Sequence, residues 1–306
     1  MSNLEEQLEK IPIVRNLVRL TQRVKLPWLE GLSLYELLRL YIIGIVEGAF
    51  SYRAGAIAFS FFMALFPFAL FILNLIPFIP IEGFQDEFLD FVEKNVPPNT
   101  FDAIRNIIDD ILNNSYQGLL SWGFILSIFL MSNGINAILG GFESSYHITM
   151  NRSFIKQYLI SVAMSLLLSL ILIVTVAAIV ISEVLILKVE LHQFMGDVSL
   201  IQITSYGFVI VMILLTTSIL FKFGTQQTRQ VAFISIGSVF TTLLILLSSY
   251  IFGIYVVKFA KYNELYGSIG TLLILMFYIW INCMILLLGF ELNATINKFK
   301  RKNLYL

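Results

Sequence analysis

Residues 160–181 read ISVAMSLLLSLILIVTVAAIVI. The stretch has no charge, no proline and no glycine, and Leu166, Leu167 and Leu168 stand side by side. A half-buried strand would alternate polar and apolar every second residue, and this segment does not. Its length decides the solvent. At about 1.5 Å per residue, roughly 20 apolar residues carry a helix across about 30 Å of hydrocarbon.

Five more runs of this kind flank it. Charge-free segments cover Ala54–Ile81 (28 residues), Ile111–Phe142 (32), Gln157–Ser182 (26), Val198–Phe221 (24), Gln230–Val257 (28) and Leu265–Phe290 (26). Only 13% of the 306 residues are charged and mean hydropathy is +0.85, against about 25% charge in soluble domains. A chain in oil must pair its own backbone groups, so the spans are helices. The expected fold is all-α: a polytopic membrane helix bundle of six transmembrane helices over 51–296, with amphipathic interfacial helices beside it.

Loop charge sets the orientation. With six spans both termini share one side, and that side carries 15 of the 20 Lys and Arg residues. Both termini are therefore expected in the cytoplasm. The amino-terminal stretch MSNLEEQLEK lacks an apolar core, so no cleavable leader is expected. Residues 1–50 read as an amphipathic segment at the cytoplasmic face, with Arg15, Arg19 and Arg23 among Ile13, Leu17 and Leu20. The tail 297–306 is basic. The outer loop 82–116 reads as two short amphipathic helices broken at Pro97-Pro98.

Polar residues inside the spans carry the functional question. Pro67 is expected to kink the first span near its middle. Arg53, Asn136, Glu143, Asn282, Glu291 and Asn293 either fix the bundle by pairing across helices or line a pathway. Asn136 and Glu143 share a helical face, and Tyr278, Asn282, Gly289 and Asn293 form a second stripe. Convergence on a wet cavity favours transport, and packing against neighbours favours a scaffold. Ser161, Ser165 and Ser169, spaced by four, suit close helix packing. The turn KYNELYGSIG, residues 261–270, joins the last two spans. Its Tyr262, Asn263, Tyr266, Gly267, Ser268 and Gly270 form either a packing turn or an outer mouth.

Three segments resemble the YihY/BrkB family of inner-membrane proteins: Ala54-Gly55-Ala56-Ile57-Ala58-Phe59 with Ala64-Leu65-Phe66-Pro67; Gly134-Ile135-Asn136-Ala137 with Tyr146; and Tyr262 to Gly270 followed by Gly289-Phe290-Glu291-Leu292-Asn293-Ala294. Phe290 stands where that family usually has a small residue. The resemblance implies six spans with cytoplasmic termini and brings no catalytic residues. Some members carry a ribonuclease label, but no acidic metal cluster or basic groove for nucleic acid is visible in the sequence. No cofactor, metal or nucleic-acid partner is expected, and no enzyme activity. The chain is expected to be transporter-like, moving or presenting a lipid or other amphiphilic envelope component, with membrane lipids as partners. The alternative is a scaffold docking an envelope protein through 82–116.

Overall fold

The computed structural model describes residues 50–75, 117–145, 152–188, 197–225, 232–259 and 268–304, together with isolated positions within 33–49 and 86–105 and at 148. Through them run six long helices: α1 (Phe50–Leu75), α2 (Gln117–Glu143), α3 (Phe154–Lys188), α4 (Asp197–Phe223), α5 (Ile236–Phe259) and α6 (Ser268–Leu304). Four contain segments long and apolar enough to cross a membrane: Phe154–Ser182, Leu200–Phe223, Ile236–Tyr255 and Leu272–Lys298. α1 contributes the shorter apolar stretch Phe50–Leu65 and stays helical through Pro67 to Leu75. Asp86, Leu89, Asp90, Glu93 and Arg105 of the loop 82–116 are helical, and the rest of that loop lies outside the described residues.

Each helix packs on its neighbours in sequence, and α6 closes on α1, so the six form a ring. Contacts between consecutive helices set their directions: Thr217, late in α4, meets Thr242, early in α5, and Gly237, at the start of α5, meets Asn293, late in α6. The helices therefore alternate up and down. One end of the bundle gathers the starts of α1, α3 and α5 and the ends of α2, α4 and α6. It carries Arg53, Arg152, Lys156, Lys222 and Lys298, and is here called the basic end.

Outward faces are apolar. Phe59, Ile125, Leu159, Leu170, Val174, Leu243 and Tyr250 are all more than half exposed. Between the helices lie small hydroxyl residues instead, with Ser132, Ser161, Ser165, Thr217, Ser218, Ser238 and Thr241 buried. Hydrocarbon solvates leucine as well as a protein core does, so helices gain by close approach and hydrogen bonds rather than by hiding apolar surface. The serine stripe of α3 does this against α2. Ser165 Oγ lies 3.1 Å from Ser132 Oγ, and Ser169 Oγ donates to Met131 Sδ at 3.2 Å.

The tightest contact is between α5 and α6. A Cβ placed on Gly289 would overlap Thr241 Oγ1, and one on Gly237 would overlap the Gly289 carbonyl and Asn293. By contrast, Gly207 and Gly253 face open space. Gly289→Ala should therefore lower stability in detergent by about 1–3 kcal/mol, with Gly289→Ala/Thr241→Ala recovering part of it and Gly253→Ala changing it little. Thermal melting of the purified variants reads all three.

Candidate functional site: a capped basic end and a central apolar cavity

Helix ends leave unpaired carbonyls and N–H groups, and at the basic end neighbouring helices supply their partners. Arg53, on the first turn of α1, is buried and donates from Nη2 to the Gly141 carbonyl at 2.5 Å, near the end of α2. Its guanidinium also lies 5.8 Å above the Phe50 ring. Arg152 donates to the carbonyls of Phe223 and Gly224 at 2.9 and 3.1 Å, where α4 ends. Both cations sit where a helix dipole places negative charge. The start of α5 is capped from within and from outside. Ser235 and Ser238 exchange bonds with each other's backbone N–H at 3.1 and 2.9 Å. Asn293 of α6 then accepts from Gly237 N at 2.9 Å and donates to Ser235 Oγ at 2.7 Å.

Glu291 has no exposed surface. Its Oε2 accepts from Ser145 Oγ at 2.8 Å, and Arg53 and Lys298 lie within Coulombic reach. Tyr41 hangs over the same helix, its hydroxyl donating to the Leu288 carbonyl at 3.1 Å. Glu143, the last residue of α2, meets the backbone N–H and the charge of Arg152. Asn136 Oδ1 accepts from Gln157 Nε2 at 3.0 Å and from Ser161 Oγ at 3.5 Å.

Five of the residues left open between pathway and bundle (Arg53, Asn136, Glu143, Glu291 and Asn293) thus lie in helix–helix contacts. Asn282 alone of that group lines a cavity. Of the stripe Tyr278, Asn282, Gly289, Asn293, three reach α5: Gly289 and Asn293 pack on its start and Tyr278 meets Ser249 at 2.6 Å, while Asn282 bonds the Tyr278 carbonyl of its own helix. Ser268 is the first residue of α6 and Gly270 is buried in its first turn; Tyr262, Asn263, Tyr266 and Gly267 lie outside the described residues.

Sequence reasoning missed two features. The first is a knot of three buried phenylalanines. Phe142 and Phe290 stack with centroids 4.1 Å apart and planes 5° from parallel, and Phe221 meets them edge-on at 5.7 and 6.0 Å. Gly224 makes room, since a Cβ there would strike the Phe142 ring. The knot joins α2, α4 and α6 across the middle of the ring. Phe290 is the residue singled out above for its bulk, and that departure was the one signal in the sequence.

The second feature is a central cavity of about 490 Å³ that all six helices line. Its walls include Phe61 of α1, Ile135 of α2, Leu172 of α3, Met212 of α4, Ile245 of α5 and Leu275 of α6. It runs from Leu275 to Leu286 along α6, roughly 16 Å at the helical rise. Ile138 and Leu286 of its wall precede Phe142 and Phe290 by one turn, so the phenylalanine knot closes the cavity toward the basic end. Among the described residues no charged side chain lines it. Nothing in the sequence announces it, because apolar residues facing a void and apolar residues facing lipid look alike.

Arg53 and Glu291 act on each other while each also holds a neutral partner. Arg53→Met should cost about 3–5 kcal/mol, because it strands the Glu291 charge in a buried site, and Arg53→Met/Glu291→Met should recover much of that. Exchanging the two charges should not restore stability, because a carboxylate at 53 would face the Gly141 carbonyl. Melting temperatures of the four purified proteins check the order.

A sequence model of the family described as virulence factor BrkB matches residues 44–304. A Bacillus subtilis protein named as ribonuclease-like, YfkH, is 29% identical over 81% of this chain and 90% of its own length. A UPF0761 membrane protein of Coxiella burnetii is 21% identical over 79% of this chain and 86% of its own. Another, of Haemophilus influenzae, is 22% identical over 82% and 91%. No solved structure matches. The apolar helices and these relatives make the protein a multi-pass membrane protein, and the match across nearly the whole chain places it in the BrkB/YihY family.

Proposed function

We propose that the protein is transporter-like and that its central cavity receives the apolar part of an amphiphile, a lipid or another envelope component, to move it or present it. In this reading all six helices span an inner membrane, with the basic end and both termini in the cytoplasm. The 15-to-5 division of Lys and Arg supports that orientation.

The observation that carries the reading is the cavity: about 490 Å³, walled by every helix of the ring and, among the described residues, free of charge. Small-molecule sites span about 300–1,000 Å³, so the volume suits a ligand. Water is a poor filler, since an apolar wall offers it few hydrogen bonds. Hydrocarbon fits at little cost, and the surrounding bilayer supplies it. The ribonuclease-like name of the Bacillus relative is not carried over to this chain: an uncharged apolar cavity offers a polyanion nothing to bind.

Reconstituted into liposomes, the protein should raise the transfer of a phospholipid with a fluorescent acyl chain above the protein-free rate. Leu172→Trp and Leu275→Trp, which fill the cavity from opposite walls, should cut that transfer several-fold while eluting as folded protein on size exclusion. Transfer equal to protein-free liposomes, or untouched by both substitutions, rules the reading out.

A further inference from the structure

The seams of the ring are not all closed along their length. α5 and α6 meet at both ends. Asn293 caps the start of α5, and toward the far end Tyr278 bonds Ser249 at 2.6 Å and stacks on Phe252 with centroids 4.4 Å apart. α4 and α5, by contrast, touch least of the six neighbouring pairs. They approach at Thr217 and Thr242, 3.5 Å apart near the basic end. Helical spacing carries the face of Thr217 away from that end through Ile210, Tyr206 and Ile203. A neighbouring helix would cover these three, yet all are exposed, Tyr206 and Ile203 by more than half. On α5 the face of Thr242 continues through Ser249 and Gly253. Tyr278 of α6 takes Ser249, and a Cβ on Gly253 would meet nothing within 4 Å. The same holds for Gly207 of α4. Antiparallel helices rise equally, so Gly207, ten residues before Thr217, and Gly253, eleven after Thr242, stand at one height. The two helices part beyond the threonines and leave a slot.

That slot lies beside the cavity. Ser249 stands opposite Tyr278, so Gly253 stands level with Leu275, the wall residue of α6 farthest from the basic end. Ile245, one turn from Ser249, and Met212 and Ile213 of α4 are themselves wall residues. Both edges are uncharged, since neither Val198 to Phe221 of α4 nor Ile236 to Val257 of α5 includes Asp, Glu, Lys or Arg. In a membrane an apolar slot between helices is filled by the hydrocarbon around it. A charged headgroup drawn between these faces would lose its solvation with nothing in return.

Resting on the reading that the cavity takes an amphiphile, we infer that the cavity opens sideways between α4 and α5, and that its occupant is an acyl chain of a bilayer lipid threaded through this slot. The charged head stays outside, in the leaflet away from the basic end. Gly207 and Gly253 keep the slot passable, because the space their missing side chains leave is the space the chain takes. A chain held in this way is continuous from head to tail, so whatever fills the slot also empties the cavity of it.

The test places the full chain in nanodiscs of phosphatidylcholine that carries a diazirine near the end of one acyl chain. Photolabelling of the wall segment 275–286 is read by mass spectrometry against residues 125–129, a stretch of α2 that faces lipid and is not part of the wall. The native chain should be labelled at both. Gly207→Trp/Gly253→Trp, whose indoles fill the slot without replacing a wall residue, should cut wall labelling roughly tenfold relative to 125–129, as overpacking a confined space does. Gly55→Trp, at a glycine of α1 with as much open space, should leave the ratio unchanged. Equal wall labelling in the native and doubly substituted chains, or an equal loss in Gly55→Trp, overturns this inference and leaves the amphiphile reading standing. A native wall that the probe never labels also overturns it, and the transfer assay then decides the amphiphile reading by itself. Where the double variant does not elute as folded protein, Gly253→Trp alone carries the comparison.

Discussion

A backbone carbonyl or N–H at a helix end has no intrahelical partner, and one buried against another helix needs a partner from the protein. Much else at the basic end follows from that. Arg53 reaches from α1 to the end of α2, Arg152 from the entry to α3 to the end of α4, and Asn293 from α6 to the start of α5. Each cap belongs to a different helix from the one it completes, so closing the helices and assembling the ring are the same event. A cation at a helix C-terminus also meets the negative end of its dipole. Arg53, which looked costly in an apolar chain, thus helps α2 to end, as Arg152 does α4.

The rest of the ring obeys a different economy. Serines, threonines and glycines line the seams, while large apolar side chains point outward. Small residues let α5 and α6 touch almost backbone to backbone at Gly237 and Gly289. Six helices in a ring cannot also meet at its centre. Near the basic end Phe142, Phe221 and Phe290 fill the gap, and beyond them the centre is left to the cavity. The capped end therefore forms a solid base, and the apolar hollow stands on it.

This arrangement separates two kinds of polar group that sequence alone does not sort. Glu291 and Asn293 are buried in contacts that hold helices together, whereas Asn282, on the same helix, lies against the hollow. Asn282 and Asn293 share a face of α6 yet serve different ends, because the ring is filled at one level and empty at another. Among the described residues, Arg53, Asn136 and Asn293 sit in helix–helix contacts, and the space that all six helices line is apolar.

The sequence by itself determined the solvent and the element type. Long charge-free runs with no strand period leave only helices in hydrocarbon, and the serine spacing of α3 announced a close seam. The blocks around Ala54, Gly134 and Gly289 were enough to point to the family. Which helices touch was decided only in three dimensions, because Arg53 and Gly141, or Gly237 and Asn293, meet through ring closure rather than through any local pattern. The phenylalanine knot and the cavity were equally out of reach. An apolar side chain has one appearance in sequence whether it faces lipid, a neighbour or a void, and only the packed ring tells the three apart.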